Sequence, residues 1–261
     1  MRVITRSGIK SFCFENLIGM NLDHAIFSRQ GGVSKAPYHT LNLGGTVGDN
    51  PDDVLENHKI IFKYLNRPFE SRFDVWQVHG KNIISADRPR KQGEAHIHAD
   101  GIFTDNPALT LLMRFADCVP ILIYDPIRQV IGIVHAGWRG TVHKISAEAV
   151  RYAGDIYGCK PLDLLVGIGP SICPNCYQIG ENVVKMFKEE FGQNAEQVLK
   201  NNPEGTYLDL WLANQITLEE AGVKNIEQSY LCTAHNLQDF YSHRAENGKT
   251  GRFGVIMGLK E

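Results

Sequence analysis

LTLLMRFADCVPILIYDPIRQVIGIV, residues 109–134, is the stretch on which the fold turns. It holds three apolar, β-branched runs, Leu109 to Phe115, Val119 to Tyr124 and Gln129 to Val134, parted only by a few residues each. Parallel neighbours in a sheet need a crossover connection of roughly a dozen residues or more, and these links are far shorter. The spacing predicts antiparallel pairing, and with it an α+β class instead of a doubly wound parallel sheet.

Outward from this stretch, strand-like runs recur at Asp74 to Val78, Gly101 to Thr104, Leu162 to Ile168 and Phe253 to Met257. Four segments carry helical periodicity. The first is Val54, Leu55, His58, Ile61, Phe62 and Leu65 after Pro51; the second is Val142, Ile145, Ala149, Tyr152 and Ile156. Val183, Val184, Phe187 and Phe191 make the third, and Leu208, Trp211, Leu212, Gln215 and Leu218, closed by Gly222, the fourth. No repeat, low-complexity run or Gly/Ser linker divides the chain. Residues 1–261 therefore read as one α+β domain, a mainly antiparallel β core flanked by helices.

Composition narrows the class of partner. A formal net charge of −2 gives no electrostatic reason to expect nucleic acid or an anionic membrane. No apolar run reaches the length of a membrane span, and the opening MRVITRSGIKSFCFEN lacks the apolar core of a secretory signal. The expectation is a cytoplasmic protein with a small-molecule partner, with a homodimer left open. Six cysteines in 261 residues are too sparse for a disulfide scaffold and are expected to be reduced.

Three short motifs carry the chemistry: QVHG at 77–80, ADCVP at 116–120 and VHAGWRG at 134–140. Each sets a potential metal ligand or nucleophile at the mouth of a strand-like run, beside glycine or proline, where a backbone bends away from regular pairing. Residues 137–140 also open a helical pattern, whose first N–H groups suit an anion such as phosphate. If His79, Cys118 and His135 converge, two imidazoles and a thiolate match a catalytic zinc that keeps one position open. The same groups also suit a Cys118 nucleophile with His135 or His79 as base. Residue types do not separate the two, and the spacing matches no compact zinc motif.

VHAGWRG, with ADCVP and QVHG upstream, resembles the bacterial YfiH-like family. That family is also known as the laccase-domain or polyphenol oxidase family, and was later described as purine nucleoside phosphorylases and as peptidoglycan editing factors. RQGGVS at 29–34, LNL at 41–43, VGDNPDDVLEN at 47–57, ADGIFT at 99–104, IGPSICPNCY at 168–177 and TGR at 250–252 resemble further blocks in the same order. The resemblance covers residues 24 to 257. It implies a single-domain α/β fold and zinc held by His79, Cys118 and His135. It also implies phosphorolysis of adenosine, guanosine, inosine and methylthioadenosine, and deamination of adenosine. His58 and His243 depart from the family pattern, where Arg and Tyr respectively are frequent.

For phosphorolysis, Arg29 and Arg139 are the expected phosphate contacts, since a guanidinium fork matches two phosphate oxygens at any working pH. Deamination wants a carboxylate to move protons, and Asp117, beside Cys118, is the nominee. Copper-dependent phenol oxidation is a weaker alternative, because a trinuclear copper cluster needs many more histidines than this chain's ten can readily supply. Editing of mis-acylated peptidoglycan precursors through a Cys118 nucleophile is another. Cys173 and Cys176 form a CxxC, but no second pair stands at zinc-finger spacing, so it reads as an ordinary turn. His96 and His98, two apart, could bind a metal but read rather as exposed histidines, and Arg244, Lys249 and Arg252 could bind phosphate but read rather as the solvated side of a glycine-containing loop.

Overall fold

Strands β8 (Val119–Asp125) and β9 (Val130–Ala136) form the antiparallel hairpin expected at the centre of the chain, with Pro120 opposite His135. Asp125 closes its turn: Oδ1 accepts from the amides of Ile127 and Arg128 at 2.8 and 2.9 Å, as an aspartate at a turn start should. The structure, a computed structural model, describes residues 1–91 and 93–260.

In chain order the remaining early strands are β1 (Arg2–Arg6), β2 (Ile9–Cys13), β3 (Leu22–Phe27), β4 (Arg72–Asp74), β5 (Ile83–Ser85), β6 (Gly101–Thr104) and β7 (Thr110–Phe115). After the hairpin come β10 (Leu165–Ile168), β11 (Gln178–Ile179), β12 (Leu199–Asn202), β13 (Gly205–Leu208), β14 (Asn225–Gln228) and β15 (Phe253–Leu259). One six-stranded sheet runs β1-β2-β3-β15-β7-β4, a second β14-β10-β8-β9-β6-β5, and β11-β13-β12 make a small third. Among the described residues, the strand pairs that run parallel are β4 with β7, β5 with β6 and β10 with β14. The α+β reading holds, and the α/β class implied by resemblance does not.

Alternating side chains explain why the central runs are apolar throughout. Leu111, Met113 and Phe115 of β7 meet Leu122 and Tyr124 of β8 and Ile131 and Ile133 of β9 between the two large sheets. Val119, Ile121 and Ile123 of β8 face the other way, onto helices. Both faces of each strand are buried, so the polar-apolar alternation of a half-buried strand is absent.

Those helices are α2 (Trp138–Val142), α3 (Ile145–Tyr157), α4 (Glu181–Phe191), α5 (Ala195–Val198) and α6 (Leu210–Glu220), and the outer face of the first sheet is covered by the earlier helix α1 (Pro51–Tyr64). That first helix starts as its sequence dictates: Asn50 caps it, accepting from the Asp52 amide at 2.8 Å, and Pro51 follows. Its inward His58 is buried, with Nε2 3.0 Å from the Leu43 carbonyl; burial and the charges of Arg114 and Arg72 push its pKa down to about 3. It is a neutral core histidine.

Several expectations need correction. The second periodic segment is two helices, broken where Lys144 takes a left-handed backbone (φ 56°). Leu208 belongs to β13, and the fourth helix begins only after Asp209, whose side chain accepts from the Leu212 amide at 3.0 Å. The run 162–168 opens with a 3-10 turn at Pro161–Asp163. The run 74–78 leaves the sheet after Asp74, because the Gln77 side-chain amide takes over both backbone groups of Arg114, at 2.8 and 2.9 Å. Most consequential, β7 does not pair with β8. The chain crosses from the first sheet to the second within 116–118, and Cys118 sits at that crossing.

Candidate metal centre

Three sheet ends bring the ligands together. His135 is the second-last residue of β9; Cys118 immediately precedes its partner strand β8; His79 lies in the loop between β4 and β5. One ligand atom from each of the three lies within 4.8 Å of the other two. The rings of His79 and His135 meet edge to face, with centroids 4.8 Å apart. His135 is buried, Cys118 half-buried and His79 exposed, so the centre is reached from the His79 side.

Asp100, fully buried just before β6, organises this centre. Its carboxylate accepts from Nδ1 of His135 at 2.8 Å, which turns Nε2 of that ring toward Cys118. The same carboxylate accepts the amides of Val78, His79 and Gly80 at 3.3, 3.0 and 2.6 Å. One side chain therefore fixes both the tautomer of one ligand and the loop of another, as the partners of metal-bound histidines commonly do. The hydrogen bonds matter all the more because His79 (φ 59°) and Asp117 (φ 82°) both hold left-handed backbones, which costs a non-glycine residue roughly 1–3 kcal/mol.

Electrostatics agree with the geometry. Burial alone would raise the Cys118 pKa and lower that of His135, but each other's charge and hydrogen bonding reverse both shifts, with Asp100 adding to the second. Thiolate and imidazolium are favoured together, and a divalent cation in place of the imidazole proton would favour the thiolate further. Gly137 provides the room. A Cβ there would lie 3.0 Å from Cys118 Sγ and 3.0 Å from His79 Cδ2. Donor set, spacing and cradle all fit a metal ion.

The other expected site residues are placed as follows. Both carboxylate oxygens of Asp117 are engaged, by the Thr233 hydroxyl at 2.6 Å and the Arg244 amide at 2.7 Å. Arg29 is buried and ties loops together: it donates to the carbonyls of His39, Leu237 and Phe240, pairs with Glu246 at 3.0 Å and stacks over Tyr241. Arg139 is exposed, over the Trp138 ring. His96 joins a buried ion network, Nε2 3.2 Å from Asp74.

Two groups escaped the sequence reading. The loop 244–252, read as solvated, is at the site: Arg244 holds Asp117 through its amide and lies over the Tyr177 ring, and half-buried Arg252 feels the charges of Cys118 and Asp117. Cys173 and Cys176 are not an isolated pair either, because Cys232 and His235 fold against them. Their partners stand on a different strand connection, which local spacing does not reveal.

Fold and site together define a class of protein: an α+β domain with a three-donor histidine, cysteine, histidine centre at the ends of its central strands. A family model described as "Multi-copper polyphenol oxidoreductase laccase" matches residues 23–260. Purine nucleoside phosphorylase YlmD of Bacillus subtilis is 35% identical over 243 residues, 90% of this chain and 87% of that protein. A purine nucleoside phosphorylase of Deinococcus radiodurans is 36% identical over 236 residues, 90% of this chain and 88% of its own. The crystal structure of YlmD from Geobacillus stearothermophilus superposes with a TM-score of 0.92 at 31% identity, over 99% of each chain. The chain belongs to the YfiH-like purine nucleoside phosphorylase family, and that membership implies a phosphorylase-type enzyme.

Proposed function

We propose that this protein is a zinc-dependent phosphorylase of adenosine, guanosine, inosine and methylthioadenosine that also deaminates adenosine. The observation that carries the reading is the convergence of His79, Cys118 and His135 under the control of Asp100. Zinc on three protein ligands would keep a position for substrate or water and polarise what binds there. Copper is the less favoured metal: among the described residues there are two ligand clusters, and neither is the histidine-rich set of a trinuclear copper centre.

The chain's own residues supply the rest. In phosphorolysis a phosphate oxygen bonds to the anomeric carbon, the glycosidic bond breaks and the departing purine takes up a proton. The cations proposed to hold phosphate are Arg139, exposed beside the site, and Arg252, whose charge is felt by Cys118 and Asp117. Arg29, already bound to four protein groups, better suits a loop clamp than a phosphate contact. Asp117 likewise better suits a positioning role than proton transfer, since both its oxygens accept hydrogen bonds.

Incubation of the zinc-loaded protein with inosine and phosphate tests this. Hypoxanthine and ribose phosphate in equal amounts are expected, with loss of turnover in Cys118→Ala. Release of free ribose would mean hydrolysis instead, and no turnover of any of the four nucleosides would overturn the proposal.

One arrangement favours a second reading. Cys118, His135 and Asp100 stand in the thiol, imidazole, carboxylate sequence of a nucleophilic hydrolase, the chemistry suited to editing mis-acylated peptidoglycan precursors. Turnover of such a precursor by chelator-treated protein, abolished by Cys118→Ser, would decide for it.

A further inference from the structure

We propose that Cys173, Cys176, Cys232 and His235 form a second metal centre, a closed Cys3His site for zinc that fastens the two loops behind the first centre. One ligand atom from each of the four lies within 4.8 Å of all the others. The Cys176 Sγ is 3.1 Å from Nε2 of His235, and the Cys173 Sγ is 3.8 Å from its Nδ1. All three thiols are free. Three sulfurs and an imidazole are borderline-soft donors that select zinc over magnesium, calcium or manganese, and four protein ligands leave no open position.

The chain builds this cluster from two chelating pairs. Cys173 and Cys176 flank a turn closed by the Cys176 amide donating to the Cys173 carbonyl at 3.0 Å, and Cys232 and His235 repeat the x2 spacing in the loop between β14 and β15. The pairs meet because β10 and β14 run parallel with Ile168 opposite Gln228, so their following loops leave the same sheet end side by side. Ser171 then bridges to Cys232. The Cys173 amide donates to Cys232 Sγ at 3.3 Å, the kind of N–H contact that supports a metal-bound thiolate.

The residues interleaved with these ligands reach the first centre. The Ile172 amide donates to the Asp117 carbonyl at 3.0 Å, Thr233 donates to the Asp117 carboxylate, and Tyr177 follows Cys176 directly. A cation at the four-ligand site would lock the backbone that holds the Cys118 corner, a structural role distinct from chemistry on substrate.

Metal analysis of the purified full chain separates the centres. Two zinc ions per chain are expected, one for each cluster. Cys118→Ala should retain one, Cys176→Ser should retain the other, and the double variant neither. A wild-type protein with a single zinc that is lost in Cys118→Ala and kept in Cys176→Ser would overturn the proposal. A second measurement needs no change at the new site: cobalt-loaded Cys118→Ala should show the intense thiolate-to-metal absorption of a tetrahedral three-sulfur centre. A cobalt-treated Cys118→Ala protein without that absorption would overturn it too, as would a disulfide among Cys173, Cys176 and Cys232 in the protein as purified. Absence of phosphorolysis, with the second zinc present, would leave this centre standing.

Discussion

Asp100 and His135 are joined twice: the His135 amide donates to the Asp100 carbonyl at 2.7 Å, and its Nδ1 donates to the Asp100 carboxylate at 2.8 Å. The double link follows from register, since Gly101 of β6 lies opposite Val134 of β9 and sets their neighbours face to face. Asp100→Asn would keep an acceptor but remove the charge that supports the ring's basicity. Zinc affinity at the three-ligand centre should fall by about 10–100-fold, read by competition with a chromophoric chelator in a Cys176→Ser background. Unchanged affinity would show that Asp100 only shapes the loop.

Gly137 makes a separate, steric prediction. Its backbone is extended (φ −72°, ψ 171°), so alanine suits the main chain, and the added Cβ meets the ligands at 3.0 Å. Gly137→Ala should unfold at nearly the wild-type temperature while metal occupancy and phosphorolysis drop together. Full zinc occupancy in that variant would mean the Cys118 and His79 side chains move aside without cost.

How far the sequence reached depends on whether a signal was local. Three helices were legible because Asn50 and Pro51, Val183 to Phe191 and Trp211 to Leu218 write their starts and faces within one segment. The β8–β9 hairpin was legible for the same reason. β1 was not, because Arg2–Arg6 is exposed along its whole length and has no buried face to betray it. Resemblance supplied His79, Cys118 and His135 as one set. Asp100 stood in the quoted ADGIFT block, yet its role is created by cross-strand register. The four-ligand cluster is hidden more deeply, since its halves meet only through the parallel pairing of β10 and β14.

The metal-free protein should carry a selectively reactive cysteine. Burial would raise the Cys118 pKa, but His135 and His79 bring it down to about 6, whereas burial pushes Cys13 up to about 11 and Cys159 up to about 12. At pH 7 and above Cys118 is mostly thiolate, the alkylating form. Iodoacetamide labelling of chelator-treated protein should therefore be flat above neutrality and fall as pH drops through about 6, with peptide mapping placing the label on Cys118. Zinc should protect it. A rate still climbing above pH 8 would show an ordinary thiol.

Asp74 offers a test of the fold away from the chemistry. It is 2% exposed, with Arg90 and Arg114 each 2.7 Å away and His96 at 3.2 Å. Burial would raise its pKa, but the His96 hydrogen bond, the charges of Arg114 and Arg72 and the Arg90 hydrogen bond outweigh that and hold it well below the ordinary 3.8. Since the folded value lies below the unfolded one, the contribution to stability is fully present above about pH 4 and is lost as pH falls below it. Asp74→Asn would leave buried guanidinium groups without their counter-charge, at a cost of about 3–5 kcal/mol near neutrality. Urea unfolding of both proteins between pH 3 and 7 should show that gap narrowing below about pH 4, as the wild-type carboxylate loses its advantage over the amide. A gap that stayed constant across that range would show that Asp74 acts through shape and hydrogen bonding instead of charge.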